Sequence, residues 1–574
     1  MRLVLSNSLS GFSKIDINIL PDLSIYDFLN RSNIDDFNFI IYISGNKIES
    51  DFDLKIRKIK WIKSKIVFWA KAEFNSLFDK NYSERCWEIL IGHWLERYIT
   101  FVCYRFEVLE SILIDFEVSE IVFSNTNSSI LDQINESNDF VTLSNSNQFN
   151  SLVYFLLFKE FFQNKYPLIK VIDENSILDI NTISNLKNIR LKNSLKRVAN
   201  NIFSSNNKYF IYNSFLSFKN ELLLSLKFWQ IPFFTYNLSS KYLCESHSRI
   251  FKEVQVGETI DISAFLIKYF FWFIPKSYYE NFIQINDIIF KFFPKNIPNV
   301  IFTSNSFDTD DIFKVYLISR INLGSKYFVG QHGSQFGVNK YYLNTNEIVT
   351  TDSFFTWGWG GYGKFYKGVF LKKSIVSSFK FRSKILLVQK CIDHSILPYD
   401  NFYEYERYIS KQFNFVNKLK RDFKSQIVVR IMAGSKNLKG YDFERWQQIN
   451  LPIDQGVIKI SEVISNYKLV IFTYDSTVMY EIIDSGIPFI FVSFENYFIS
   501  DEAKPFFAKL KKSNIYFDNY EAAINFLNNN LNFIDQWWSS DLVQISLAEF
   551  KNKFCNNIYS PNASLFNFIS NNNI

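Results

Sequence analysis

Three groups in this chain are suited to holding and activating an anion: an imidazole among glycines, a hydroxyl pair ahead of a helical pattern, and an arginine closing an apolar run. The first is Gly330-Gln331-His332-Gly333-Ser334-Gln335-Phe336-Gly337, directly after Tyr327-Phe328-Val329. Glycines let the backbone turn sharply and approach a ligand. An imidazole at the tip of such a loop, flanked by Gln331 and Gly333, can hold a phosphate or transfer a proton. The alternative is a loop whose histidine is simply hydrogen-bonded. The second group is Thr473-Tyr474-Asp475-Ser476-Thr477, between the apolar run Leu469 to Phe472 and a helical pattern of Val478, Met479, Ile482 and Ile483. Ser476 and Thr477 can cap that helix while donating to a phosphate, which the free N–H groups and helix dipole also favour. Glu481, one turn on, can accept hydrogen bonds from ribose hydroxyls; an ordinary capping box is the competing reading. The third is Arg430, closing Val428-Val429-Arg430-Ile431, which can clamp a phosphate through two hydrogen bonds or form a surface ion pair.

Two further clusters are less specific. Arg85 and Glu88 share a helix face in Ser83-Glu84-Arg85-Cys86-Trp87-Glu88-Ile89, where a carboxylate can take a proton or make a surface salt bridge. Trp357 and Trp359 lie among glycines in Thr356-Trp357-Gly358-Trp359-Gly360-Gly361, forming either a platform for a sugar or base or the packing of an interdomain hinge. The lysines that follow, Lys364, Lys367, Lys372 and Lys373, suit anionic lipid headgroups or a solvated face. Walker, HExxH and GxSxG motifs are absent, no GxGxxG precedes a helix, and Asp51-Phe52-Asp53 lacks a preceding buried strand, so metal-independent chemistry without a cofactor is the expectation.

These groups need a sheet whose strand ends bring them together. Apolar runs at Phe39 to Ile43, Glu120 to Phe123, Tyr209 to Tyr212 and Val300 to Thr303 predict strands, with helices over Cys86 to Leu113 and Leu152 to Phe162. A βαβ unit is expected from Val300, through a helix over Asp310 to Ile321 opened by acids, to the strand at Tyr327. Beyond it, strands are expected at Ile385 to Val388, Ile427 to Ile431, Leu469 to Phe472, Phe489 to Val492 and Ile515 to Phe517, with a helix over Tyr403 to Lys420. This alternation predicts an α/β protein of two doubly wound, Rossmann-like domains facing across a cleft. Residues 1–375 would form the acceptor-side domain with helical insertions, and 376–574 the nucleotide-binding domain with a helical tail. The basic stretch Lys372 to Lys384 would connect them.

Composition agrees with two such cores. The chain has 574 residues, 47% of them hydrophobic and 19% aromatic, which excludes wholesale disorder. A net charge of +6 fits handling of anions, without demanding nucleic acid. The five cysteines are scattered, so neither a disulfide framework nor a zinc site is expected, and a cytoplasmic location is. Neither a signal peptide nor a membrane-spanning run is visible in the sequence.

Taken in order, four motifs resemble a bacterial family of transferases of surface carbohydrate synthesis. Its Arg-x-Trp-Glu-Ile helix, Gln-His-Gly-Gly-x-x-Gly loop, Thr-Trp-Gly-Trp strand and Asn-Ser-Thr turn before a Glu-bearing helix read here as four segments. They are Arg85 to Ile89, Gln331 to Gly337, Thr356 to Trp359, and Asp475-Ser476-Thr477 through Glu481. The arrangement is more distantly similar to GT-B transferases that use CMP-activated sugars, such as capsule Kdo transferases and some sialyltransferases. That resemblance implies a GT-B fold, with His332, Ser476 and Thr477 on the donor phosphate. Here Asp475 replaces Asn or Ser and Ser334 replaces Gly. It further implies a nucleotide-sugar donor, with CMP-linked sugars among the candidates, and a glycan or lipid-linked acceptor. Glu88 would be the catalytic base and Arg85 a further site member. Peripheral contact with the inner membrane would follow from a lipid-linked acceptor. A CDP-polyol phosphotransferase, a non-catalytic GT-B scaffold and a nucleotide-sugar epimerase are the other readings.

Overall fold

The structure is a computed structural model that describes residues 1–5, 18–21, 39–42, 52–124, 128–144, 146–166, 169–172, 208–230, 248–257, 260–372, 374–375, 383–390, 397–398, 405–431, 443, 445–494 and 497–571. Three parallel sheets are built in succession along the chain. The first orders its strands β3-β2-β1-β4-β5, from β1 (Arg2–Leu5), β2 (Asn18–Pro21), β3 (Phe39–Tyr42), β4 (Glu120–Ser124) and β5 (Ile169–Ile172). The second runs β10-β9-β8-β7-β6, from β6 (Tyr209–Ile211), β7 (Val300–Thr303), β8 (Lys326–Gly330), β9 (Ser353–Phe355) and β10 (Phe365–Tyr366). The third is β13-β12-β11-β14-β15-β16, from β11 (Lys384–Val388), β12 (Ile427–Arg430), β13 (Ile453–Asp454), β14 (Tyr467–Phe472), β15 (Phe489–Val492) and β16 (Tyr516–Phe517).

The expected α/β architecture is therefore present, and the strands at Val300, Lys384, Ile427, Tyr467 and Phe489 lie where continuous apolar runs predicted them. Such runs occur because a parallel strand is buried on both faces. The third sheet shows this residue by residue. Leu386, Val388, Val428, Val470 and Phe472 join the large core shared with the first two sheets. Their neighbours Ile385, Leu387, Ile427, Val429, Leu469 and Ile471 face a separate core with Tyr408, Phe415 and Trp446. Side chains alternate across a strand, so a single run of apolar residues serves two cores.

Residues 1–172 carry a sheet of their own, an element beyond the two expected. Its first strand was hidden in Met1 to Leu5, too short to register as more than the absence of a leader. The first and third sheets reverse strand order beside their first strand, the point where open α/β sheets form ligand crevices. The second sheet runs sequentially and has no reversal, so any crevice at its edge needs a facing lobe. The final helix, Pro561–Asn571, does not stay with the third sheet as a tail. Its Phe568 ring packs on Phe302, Phe328, Phe355 and Tyr366 of the second sheet, at centroid distances of 6.2, 5.1, 5.3 and 4.9 Å.

Among the described residues no helix is long and apolar enough to cross a membrane. Cys86, Cys103 and Cys555 are free and buried; Cys244 and Cys391 lie outside the described residues. Asp53 of the Asp51-Phe52-Asp53 segment accepts hydrogen bonds from Lys340 and Tyr341, at 3.0 and 2.7 Å. Asp51 lies outside the described residues.

Gly337 has φ +80°, and a Cβ built there would lie 2.6 Å from the Trp359 ring. Gly324 has φ +102° with nothing within 4 Å. Gly337→Ala is expected to destabilise by about 2–4 kcal/mol through combined backbone strain and overpacking, against about 1 kcal/mol for Gly324→Ala. Equilibrium urea unfolding of both variants measures the difference.

Candidate functional site

The loop after β8 is held from within. Gln331 is fully buried; its amide N–H donates to Phe355 O at 2.8 Å, and its side-chain amide donates to Gly333 O at 2.8 Å. Its Oε1 accepts from Trp357 N–H at 2.9 Å and from the Trp359 indole at 2.8 Å. Gln331 and Gly333 thus shape the loop. Both tryptophans are fully buried, which fits the hinge reading of Trp357 and Trp359 and not an open platform.

His332 is left at the tip with its Nδ1 buried and without a hydrogen-bond partner. Phe307 and Phe336 contact the ring edge-on, each at 5.0 Å, and Phe215 stands 6.4 Å away. Burial lowers the His332 pKa below its ordinary 6.5; Glu347 and Asp308 oppose the shift, while His93 and Lys372 add to it. The imidazole is therefore neutral at pH 7, with one N–H to give and one lone pair to accept.

The turn after β14 meets this loop. Ser334 Oγ donates to Asp475 O at 2.5 Å, Gln335 Nε2 to Asp475 Oδ1 at 2.9 Å, and Tyr480 Oη to Ser334 O at 3.2 Å. Tyr497 Oη donates to the other oxygen, Asp475 Oδ2, at 2.8 Å. The acid that departs from the Asn-Ser-Thr pattern is thus turned onto loop donors, fastening one lobe to the other. Next to it Ser476 caps the following helix, its Oγ accepting from Val478 N–H at 3.3 Å, which leaves its own proton to donate. Thr477 is half-buried beside it. The helix itself, Thr477–Ile482, has only 6 residues, so the dipole expected there is weak.

Two expected ligands are otherwise engaged. Glu481 is paired with Lys372 at 2.9 Å, and its carbonyl accepts from Ile375 N–H at 2.7 Å. It holds the chain that links the second and third sheets instead of facing a ribose. Arg430 does end β12 at the expected edge, but its guanidinium donates to Asp454 Oδ2 at 2.5 Å and to Ile458 O at 2.5 Å. A fork closed by a carboxylate has little left for a phosphate. Arg445 lies nearby at 5.2 Å over the Phe413 ring.

The helix Glu84–Asp115 reaches the site, but through a later part than expected. Arg85 donates to Thr350 O at 2.8 Å and pairs with Asp352 at 2.7 Å, and Asp352 in turn accepts from Tyr327 N–H near the start of β8. Arg85 therefore marks the amino edge of the second sheet, away from the crevice. Glu88 pairs with Lys63 at 2.9 Å, and Lys63 also holds Glu96 and Asn346 at 2.8 and 2.6 Å. His93 and Arg97 lie further along, with Arg97 about 18 Å from Arg85 along the helix axis. There the His93 ring stacks on Phe307 at 5.5 Å and its Nε2–H donates to Glu347 at 3.0 Å, while Asn346 donates to Nδ1 at 3.1 Å. Arg97 grips Asp308 with two bonds of 2.5 and 2.7 Å.

Asp308, Glu347 and His93 are thus the polar groups around His332 that sequence reasoning missed. Burial pushes the Glu347 carboxyl up, but the His93 hydrogen bond and the two imidazoles outweigh it and hold the group below its ordinary value. For Asp308 burial is likewise outweighed by Arg97, which keeps it far below the usual carboxylate range. The acids Asp308, Asp310 and Asp311 read as a helix opening, and two of them are that. Asp310 caps Phe313 N–H at 3.0 Å, and Asp311 accepts from Ser137 and Ser277, each at 2.6 Å. The overlooked signal was the i, i+4 spacing of His93 and Arg97 on one helix face.

Gln331→Leu leaves the Trp357 amide and Trp359 indole without their acceptor, so it is expected to lower the unfolding free energy by about 2–4 kcal/mol. Ser476→Ala with Thr477→Ala is expected to change it by less than about 2 kcal/mol. Chemical denaturation of the two variants distinguishes a residue that shapes the loop from residues that only cap a short helix.

Comparison with solved structures returns 18 similar chains. They include Acinetobacter baumannii MurG, with 12% identity and TM-score 0.30 over 50% of this chain and 79% of that one. The spinosyn rhamnosyltransferase SpnG, complexed with spinosyn aglycone, has 9% identity and TM-score 0.27 over 50% and 80%. A Thermobaculum terrenum O-GlcNAc transferase mutant has 6% identity and TM-score 0.31 over 90% and 97%. Sequence comparison with curated proteins gives no match. The identification comes instead from a family model that matches residues 26–569, nearly the whole chain: the protein belongs to the LIC12162 family of transferases.

Proposed function

We propose that this transferase is a GT-B-type glycosyltransferase that moves a sugar from a nucleotide-activated donor, such as a CMP-linked ulosonic acid, to a glycan or lipid-linked acceptor of the cell surface. The observation that carries the reading is His332, half-buried and with a buried Nδ1 that lacks a partner, on a loop hydrogen-bonded to the Asp475 turn that bears Ser476 and Thr477. A neutral imidazole suits a general base better than a cationic phosphate clamp. His332 takes the proton of the acceptor hydroxyl as that oxygen attacks the anomeric carbon. The bond to the nucleotide phosphate breaks, and Ser476 and Thr477 donate hydrogen bonds to the departing phosphate oxygens. Glu347 and Asp308, held as carboxylates, favour the imidazolium that forms. This assignment moves the base from Glu88, which Lys63 engages, to His332, and leaves Arg85 and Arg430 as structural ion pairs.

Three outcomes follow. Ser476→Ala with Thr477→Ala weakens nucleotide binding about tenfold to a hundredfold in calorimetric titration, at unchanged fold; unchanged affinity would falsify the phosphate seat. His332→Gln lowers kcat about 10²- to 10⁴-fold with nucleotide affinity retained. Since burial lowers the His332 pKa, the neutral base persists to acidic pH, and kcat/KM falls only as pH drops through a value below 6.5. A rate limb centred above 6.5 would exclude His332 as that base. A panel of CMP-, CDP-, UDP- and GDP-linked compounds in thermal-shift assays identifies the donor, and analysis for a glycosidic bond against a phosphodiester identifies the reaction.

A further inference from the structure

The basic and aromatic surface expected along Lys364 to Lys373 is not a free one. Lys364 donates to the carbonyls of Ile348 and Val349, and Lys372 is paired with Glu481; Lys373 lies outside the described residues. A surface of that composition occurs elsewhere, on the outer face of the helix Phe52–Phe78. This helix of 27 residues buries Ile56, Ile59, Ile62, Ile66, Ala70 and Phe74 against the core. Its opposite face exposes Leu54, Trp61 and Phe68, at 53%, 52% and 68% of their surface, spaced seven residues apart. Arg57, Lys58 and Lys65 are exposed on the same face, and Lys65 Nζ lies 3.5 Å from the centre of the Trp61 ring. Residues at such spacings form one stripe, here about 21 Å long from Leu54 to Phe68. The acid at its start, Asp53, is held by Lys340 and Tyr341. The ion pair of Lys252 with Glu73, at 2.5 Å, brings the exposed Ile250 and Phe251 to the flank of this helix.

We infer that this face docks the protein on an anionic lipid bilayer. A row of large apolar side chains flanked by fixed cations matches the boundary between acyl chains and acidic headgroups, where tryptophan in particular sits with its ring half in each. The charge argues against the alternatives. Two copies meeting on this face would bring Arg57, Lys58 and Lys65 of each against the other. A nucleic acid would gain from the cations but would leave Leu54 and Phe68 without a base-stacking role. The helix begins where the second and third sheets' lobes touch: the Phe52 ring stacks on Phe498 at 4.7 Å and meets Tyr341 at 4.9 Å, beside the bond from Lys340 N–H to Phe498 O at 2.9 Å. A bilayer under this face would lie alongside that contact between the lobes. The inference does not depend on the donor chemistry proposed above.

Co-sedimentation with phosphatidylcholine vesicles, with and without phosphatidylglycerol, tests it on the full chain. The wild-type protein is expected to sediment with the anionic vesicles and not with the neutral ones. Each cation near an acidic leaflet strengthens partition about fivefold. Arg57→Gln, Lys58→Gln and Lys65→Gln together are therefore expected to weaken it roughly a hundredfold, and Trp61→Ser with Phe68→Ser at least tenfold. The five sites are solvent-exposed, and unchanged thermal unfolding confirms that the variants fold. Wild-type protein that stays in the supernatant overturns the inference, as does a variant set that binds like wild type. So does a concentration-dependent dimer, in sedimentation velocity, that Trp61→Ser with Phe68→Ser abolishes.

Discussion

The arrangement of the site depends on where the carboxylate of Asp475 points. It sits in the turn after β14 of the third sheet, yet one oxygen receives Gln335 from the loop of the second sheet and the other receives Tyr497. The backbone oxygen of the same residue takes the Ser334 hydroxyl. An isolated carboxylate with no donors would be costly at 8% exposure. Given neutral donors on both oxygens it becomes a rivet between lobes, and an amide could not accept at both positions. That single acid fixes the imidazole loop and the hydroxyl turn relative to each other, which is the geometry that two reacting groups on separate sheets require.

A second layer of charge surrounds the histidine. His93, Glu347, Asn346 and Lys63 form a continuous buried chain of hydrogen bonds from the Glu84 helix to the segment before β9. Arg97 and Asp308 close the other side. The members hydrogen-bond one another, so the cluster fixes side-chain positions. His332 alone keeps an open ring nitrogen in this setting, which separates it from its structural neighbours.

Much of the scaffold was legible because buried parallel strands write themselves as uninterrupted apolar runs, as at Val300, Ile427 and Phe489. Short strands such as Arg2–Leu5 carry too few residues for that signal, so the strands at Phe39 and Glu120 were expected but not the separate sheet they share with it. The site was legible in its loop and turn, where glycines and hydroxyls have few other reasons to cluster. It was not legible on the Glu84 helix, because a helix several turns long offers many candidate faces. Periodicity cannot say which turn lies at the carboxyl edge of the sheet. Arg85 and Glu88 were taken from one turn, while His93 and Arg97, further along, meet the crevice. Arg430 shows the converse limit: strand position was right, but its partner Asp454, 24 residues away, could be found only in three dimensions.

The chain passes between the second and third sheets twice, once after Phe370 and again near Asn556. The two passages are bonded to each other: Phe370 N–H donates to Asn556 O at 2.7 Å, and Asn556 N–H donates to Trp357 O at 2.9 Å. Gly358, with φ +127°, lies under this junction, where a Cβ would sit 2.8 Å from that of Asn556. The lobes are therefore tied both at this root and at the loop tips joined through Asp475. A cut in the first crossing alone would leave the halves held together, because the final helix, continuous with the third sheet, packs its Phe568 on the second.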